Sequence, residues 1–95
     1  MSAQKVPIAL FRLGKLVATP NALERLSQED IMTGIQRHQA GDWGDLDEHD
    51  RQENELSLKQ GFRLLSVYHG KSGTKFYLIT EADRSVTTVL LPEDY

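Results

Sequence analysis

Seven carboxylates fall within fourteen residues: Asp42, Asp45, Asp47, Glu48, Asp50, Glu53 and Glu55, with Arg51 as the only cation among them. Trp43 stands at the head of this run. An aromatic anchor ringed by carboxylates suits a surface that docks a basic partner. On this reading Asp42, Trp43, Asp45, Asp47 and Glu48 contact a protein. A nucleic-acid-binding protein fits, because such a surface imitates its polyanionic ligand. The competing reading is structural: Trp43 and Leu46 pack beneath a loop, and the acids cap a helix and face water. A calcium site is disfavoured. Asp45, Asp47 and His49 alternate as in an EF-hand loop, but the loop's sixth position is Asp50 instead of Gly and its twelfth is Leu56 instead of Glu.

A second set is His69, Lys75, Tyr77 and Arg84, with Ser85, Thr87 and Thr88 nearby in sequence. Helices followed by a small antiparallel sheet loosely resemble the barnase- and RelE-type ribonuclease folds. In that resemblance His69 supplies acid–base chemistry, and Lys75, Tyr77 and Arg84 stabilise a charged transition state. The alternative is the ordinary polar outer face of an antiparallel sheet, with Arg84 paired to Asp83 or Glu81 in a turn. Charge speaks against cleavage of RNA, since the chain carries a net −3 and polyanion binding favours basic proteins. His38 reads as a helix-face residue near a C-terminus, and His49 as exposed beside the carboxylates. Zinc spacing of histidines on one helix is absent. So are GxSxG, the P-loop, HExxH and the dinucleotide fingerprint, and no cofactor or metal is implied.

The elements that must hold these residues are readable from punctuation and period. Leu16 to Ala18 reads as a short strand. Thr19-Pro20 opens a helix, with Thr19 as N-cap and Leu23 and Leu26 inward. Ser27 caps a second helix on which Ile31, Ile35 and His38 share a face, and Gly41 stops it. Asp47 caps a third helix that ends at Gly61. From Phe62 the period becomes two. Phe62–His69, Lys75–Thr80 and Ser85–Leu91 are then strands joined by the turns Gly70–Gly73 and Glu81–Arg84. The expected fold is α+β: two to three helices on a three- to four-stranded antiparallel β-meander. Its expected core holds Leu16, Leu23, Ile31, Ile35, Trp43, Leu64, Phe76, Leu78 and Val86, with Thr88 or its neighbours Val89 and Leu90. The last strand is apolar on both faces, so a homodimer would cover the second one.

At 95 residues the chain is sized for one domain, 1–95. Apolar residues at 39% and charged residues at 26% exclude collagen-like and wholly disordered chains. No apolar run reaches the roughly 20 residues that span a bilayer. The N-terminus lacks the apolar core of a signal peptide. With no cysteine, thiolate sites and disulfides are excluded, and a cytoplasmic location is expected. The acidity is local. Residues 42–55 carry −6, residues 1–41 carry +2, and residues 56–95 carry +1. No basic face for direct nucleic-acid binding emerges.

Three segments, GDWGDLDEHDRQENE (41–55), GFRLLSVYH (61–69) and ITEADRSVTTVLLPEDY (79–95), together resemble a family of small bacterial plasmid-related proteins. The resemblance spans about residues 13–95. Some members of that family carry a type I restriction modification-subunit label. The resemblance implies a setting on plasmids and other mobile elements and brings no catalytic residues with it. The label does not suit this chain, which is too short for a cofactor-binding α/β domain plus target recognition. The expected function is therefore a non-enzymatic accessory protein that acts by macromolecular binding, with inhibition of restriction or CRISPR defence as the version to test. A small ribonuclease toxin is the alternative.

Overall fold

A computed structural model describes residues 9–95. The elements follow in the order β1 (Lys15–Ala18), α1 (Pro20–Arg25), α2 (Gln28–Gln39), α3 (Glu48–Gln60), β2 (Leu64–His69), β3 (Lys75–Thr80) and β4 (Val86–Leu90), with a final 3₁₀ turn at Pro92–Asp94. All three helix starts use the anticipated caps. Thr19, Ser27 and Asp47 accept from the backbone N–H groups of Ala22, Asp30 and Asp50. Gly61 ends α3 in the left-handed region, at φ 80°.

The sheet corrects the expected topology. Its order is β1-β4-β3-β2. The two hairpins β2–β3 and β3–β4 are antiparallel, but β1 runs parallel to β4, pairing Leu16 with Thr87 and Ala18 with Val89. The fold is α+β with three helices and a mixed four-stranded sheet, not an antiparallel meander. The long path from β1 to β4 is what permits parallel pairing, which a short turn cannot make.

The register sorts the side chains onto two faces. Ser66, Leu78, Val89 and Ala18 form one cross-strand row, and Tyr68 and Phe76 form the next. This face carries the core, in which Ala22, Leu26, Ile35, Tyr68, Phe76, Leu78, Val89 and Leu91 are buried together. Helix α2 lies close on it because residue 34 is glycine. A Cβ there would stand 3.0 Å from the Phe76 ring. The opposite face holds Leu65, Ile79 and Thr88 in one row and Val67, Tyr77 and Leu90 in the next.

Several expected core residues belong elsewhere. Leu23 is 63% exposed, and Ala22 and Leu26 take the inward positions of α1. Leu16 lies on the edge strand and is 48% exposed. In β4 the neighbours Val89 and Leu90 are buried as offered in place of Thr88, the inward threonine is Thr87, and Val86 is half-buried. Thr87 tolerates burial because its hydroxyl donates to the Leu13 carbonyl.

Candidate functional site

The acidic segment is pinned to the sheet by its backbone. Val67 of the β2 edge donates to the Trp43 carbonyl, and Asp45 N–H donates to the Val67 carbonyl at 2.7 Å. Gly44 sits between these bonds at φ 78°, and a Cβ there would lie 2.0 Å from the Val67 carbonyl oxygen. Only glycine allows that approach. Farther along the same edge, the Asn54 amide accepts from the Leu65 N–H and donates to its carbonyl. Loop and α3 thus occupy backbone groups that an open edge strand would present for pairing.

Trp43 is core, not a surface anchor: it is 2% exposed. Its ring stacks on Phe11 at 6.2 Å and meets His38 edge-on at 5.7 Å. Its indole N–H donates to Glu55 at 2.8 Å. Of the two readings offered for Trp43, the packed one describes its place. A buried indole holds the loop down and has no area left to present to a partner.

The carboxylates divide by employment. Asp42 is bound by the Arg37 guanidinium at 2.7 Å. That hydrogen bond holds its carboxyl below the usual range and raises the pKa of Arg37. Asp47 caps α3 and Glu55 takes the indole. Asp45 approaches His69 at 3.8 Å. Among the described residues Glu48 accepts only from the Gln52 amide. Asp50 and Glu53 are exposed and form no ion pair among the described residues. Arg51 forms no salt bridge with them among the described residues, though its charge helps hold the Asp42 carboxyl down. Its guanidinium donates to the carbonyls of Leu46 and Gly44.

The second candidate set does not converge. His69 and Lys75 are cross-strand neighbours, and the Lys75 ammonium lies 5.9 Å from the centre of the Tyr77 ring. Arg84 is at the other end of the strands. It adopts φ 61°, in the left-handed region. It donates to the carbonyls of Ser57, Phe62, Glu81 and Ala82 at 2.7–3.2 Å. The expected pairing with a turn carboxylate is replaced by these carbonyls, and Glu81 pairs with Arg63. Phe62 precedes β2 and His69 ends it, a span of roughly 20 Å at strand rise. Arg84 and His69 therefore cannot act on one phosphate.

The sequence reading missed how His38 is used. His38 is fully buried. Its Nε2 meets Thr80 Oγ1 at 2.9 Å, and Thr80 meets Thr87 Oγ1 at 2.7 Å. The donors can be assigned from the far end. Thr87 gives its proton to Leu13, so Thr80 must donate to Thr87. Thr80 must then accept from His38, which places the proton on Nε2 and leaves Nδ1 to accept from Ser66. Burial first, and the Arg84 charge second, push the imidazole pKa down to about 3. The signal in sequence was Ser66, Thr80 and Thr87, polar residues at inward positions of apolar strands. Every buried side-chain polar atom among the described residues has a partner, so this chain of hydroxyls is a completed structural network.

Among the described residues no group of three or more His, Asp or Glu side chains is arranged to hold a metal ion, and no helix is long and apolar enough to cross a membrane. An open groove of about 600 Å³ lies where the acidic loop overhangs the sheet's second face. Asp45, Asp47 and Asp50 form one wall, Leu65, Val67 and Tyr77 the floor, and Lys75 and Tyr95 the far side. No family model, no curated protein and no solved structure matches the chain.

Proposed function

We propose that the chain is a non-enzymatic binding protein whose acidic loop and α3 surface docks a basic macromolecular partner. The observation that carries this reading is the employment of charge. The fold uses Asp42, Asp47 and Glu55 internally and aims Arg51 at carbonyls, leaving Asp45 with only the His69 imidazole nearby and Glu48, Asp50 and Glu53 projecting without an ion pair among the described residues. Clustered like charges cost stability through self-repulsion unless something offsets it. A basic partner would.

In a mobile-element setting, the partner class that fits is a nucleic-acid-binding protein of host defence, restriction or CRISPR, whose cationic channel accepts a polyanion. The expected outcome is that a restricting host expressing the chain plates unmodified phage at higher efficiency. The Asp45→Asn/Asp50→Asn/Glu53→Gln variant should lose that gain. Equal plating with and without the chain, across restriction and CRISPR hosts, overturns the defence-inhibitor version. The ribonuclease alternative predicts growth arrest on expression, abolished by His69→Ala. A host that tolerates strong expression rejects it.

A further inference from the structure

The second face of the sheet is the largest feature that the acidic-surface reading leaves unexplained. Helix α2 covers the first face, and α3 lies along the β2 edge. Three neighbouring concavities open on the second face, of about 600, 300 and 220 Å³. Together they expose parts of Leu46, Leu65, Tyr77 and Thr88. Val67, Ile79 and Leu90 on this face are closed off by their neighbours, so the apolar area left open is that of Leu65, Tyr77 and the exposed Tyr95, and there another surface can pack.

The charge around it selects the occupant. The wall of the 600 Å³ concavity carries Asp45, Asp47 and Asp50, and Glu53 lines the adjoining one. Against these stand Lys75 and Arg63, and Arg63 is already paired with Glu81. A second copy of the chain would bring the same carboxylates against these. The Tyr77 ring already carries a cation, the Lys75 ammonium 5.9 Å from its centre, and tyrosine faces attract cations. Tyr95 meets Tyr77 edge-on at 6.1 Å and is itself 76% exposed. Floor and wall together ask for a segment that is apolar on one side and cationic on the other.

We infer that the groove between the acidic loop and the second sheet face is the docking site for a basic amphipathic segment of a protein partner. Its apolar side chains seat on Leu65, Tyr77 and Tyr95, and its cationic side chains reach Asp45 and Asp50. The inference rests on the acidic-surface reading and adds to it a shape and an apolar requirement. Charge alone would let any polycation bind. The groove makes binding depend on burial as well.

The test compares two fluorescent peptides of equal length and charge, one alternating arginine with leucine, the other alternating arginine with serine. Anisotropy titrations use the wild type, Tyr77→Ser, Tyr95→Ser and Asp45→Asn/Asp50→Asn, each first shown to be folded by circular dichroism. The arginine–leucine peptide should bind about tenfold more tightly than the arginine–serine peptide, the amount expected from seating one apolar side chain. Tyr77→Ser should remove that preference and the aspartate variant should weaken both peptides. Tyr95→Ser, at an exposed position, keeps the test decisive if Tyr77→Ser does not fold, and should at least halve the preference. Equal binding of the two peptides, or a preference indifferent to both tyrosines, overturns the groove while leaving the acidic surface standing. Binding of neither peptide counts against both. A dimer in sedimentation that Tyr95→Ser dissociates assigns the face to a second copy and overturns the inference.

Discussion

At the scale of single residues, His38 sets how the protein responds to acid. Its imidazole is neutral in the fold, with a pKa near 3, and returns to about 6.5 when unfolded. Between those values the unfolded chain binds a proton that the native one refuses. Stability is therefore full above about pH 6.5 and falls as pH drops toward 3. The expected loss between pH 7.5 and pH 5 is about 2 kcal/mol, before most carboxylates titrate. Urea unfolding at the two pH values measures it. The His38→Gln variant, less stable at neutral pH, should show a much smaller change over the same interval; an unchanged slope would remove His38 as the cause. Arg84 is likewise a structural residue. Arg84→Ala strips donors from the carbonyls of Ser57, Phe62, Glu81 and Ala82 and should cost about 1–3 kcal/mol. Its partner binding at a temperature where it is folded should match wild type. A variant of unchanged melting temperature would contradict this assignment.

At the scale of elements, the acidic loop is part of the sheet. Trp43 and Asp45 bond to Val67, and Gly44 passes between them. Gly44→Ala places a methyl group against the Val67 carbonyl and should lift the loop. Hydrogen exchange at the Val67 and Asp45 amides should accelerate, and Trp43 fluorescence should shift red as the indole meets water. Protection unchanged from wild type would contradict the pinned loop. The caps Thr19, Ser27 and Asp47 and the stop at Gly61 were legible in the sequence because each acts within one turn of its own position. So were the two hairpins, through Gly70–Gly73 and Glu81–Arg84. The closure of the β2 edge was not. It depends on Asn54 meeting Leu65 across eleven positions, and asparagine in an acidic helix gives no sign of which backbone it will face. Helix α3 has only Leu56 and Leu58 as apolar residues, which suits a helix that guards an edge and does not roof the core.

At the scale of the whole molecule, the error in the expected fold was one of pairing. Strand β1 was visible as a short apolar run, but its partner lies about seventy positions away, and periodicity is blind to which strand stands beside which. Parallel pairing with β4 moved Leu16 to the outer edge. The candidate site was legible in part. The carboxylate run fixed where the charge is, and Lys75 and Tyr77 were picked out for a different chemistry. Only the fold shows that Asp45, Asp47, Lys75 and Tyr77 line one groove while Trp43 and Arg84 are turned to internal work. A buried tryptophan beside carboxylates cannot be told from an exposed one by composition, since both are flanked by glycine and aspartate.

The central claim is that the free carboxylates of the loop and α3 bind a partner. The most direct measurement is affinity capture from the bacterial host with a tagged chain, followed by binding titrations on the captured protein. Three forms are compared: wild type, Asp45→Asn/Asp50→Asn/Glu53→Gln, and a control neutralised outside the acidic segment, on α1 and α2, Glu24→Gln/Glu29→Gln. Thermal melts establish that all are folded. The account predicts a basic partner captured by wild type and control, with affinity that falls as salt rises and drops at least about tenfold in the triple variant. A partner held equally by all three forms, or lost equally in both variants, would contradict it.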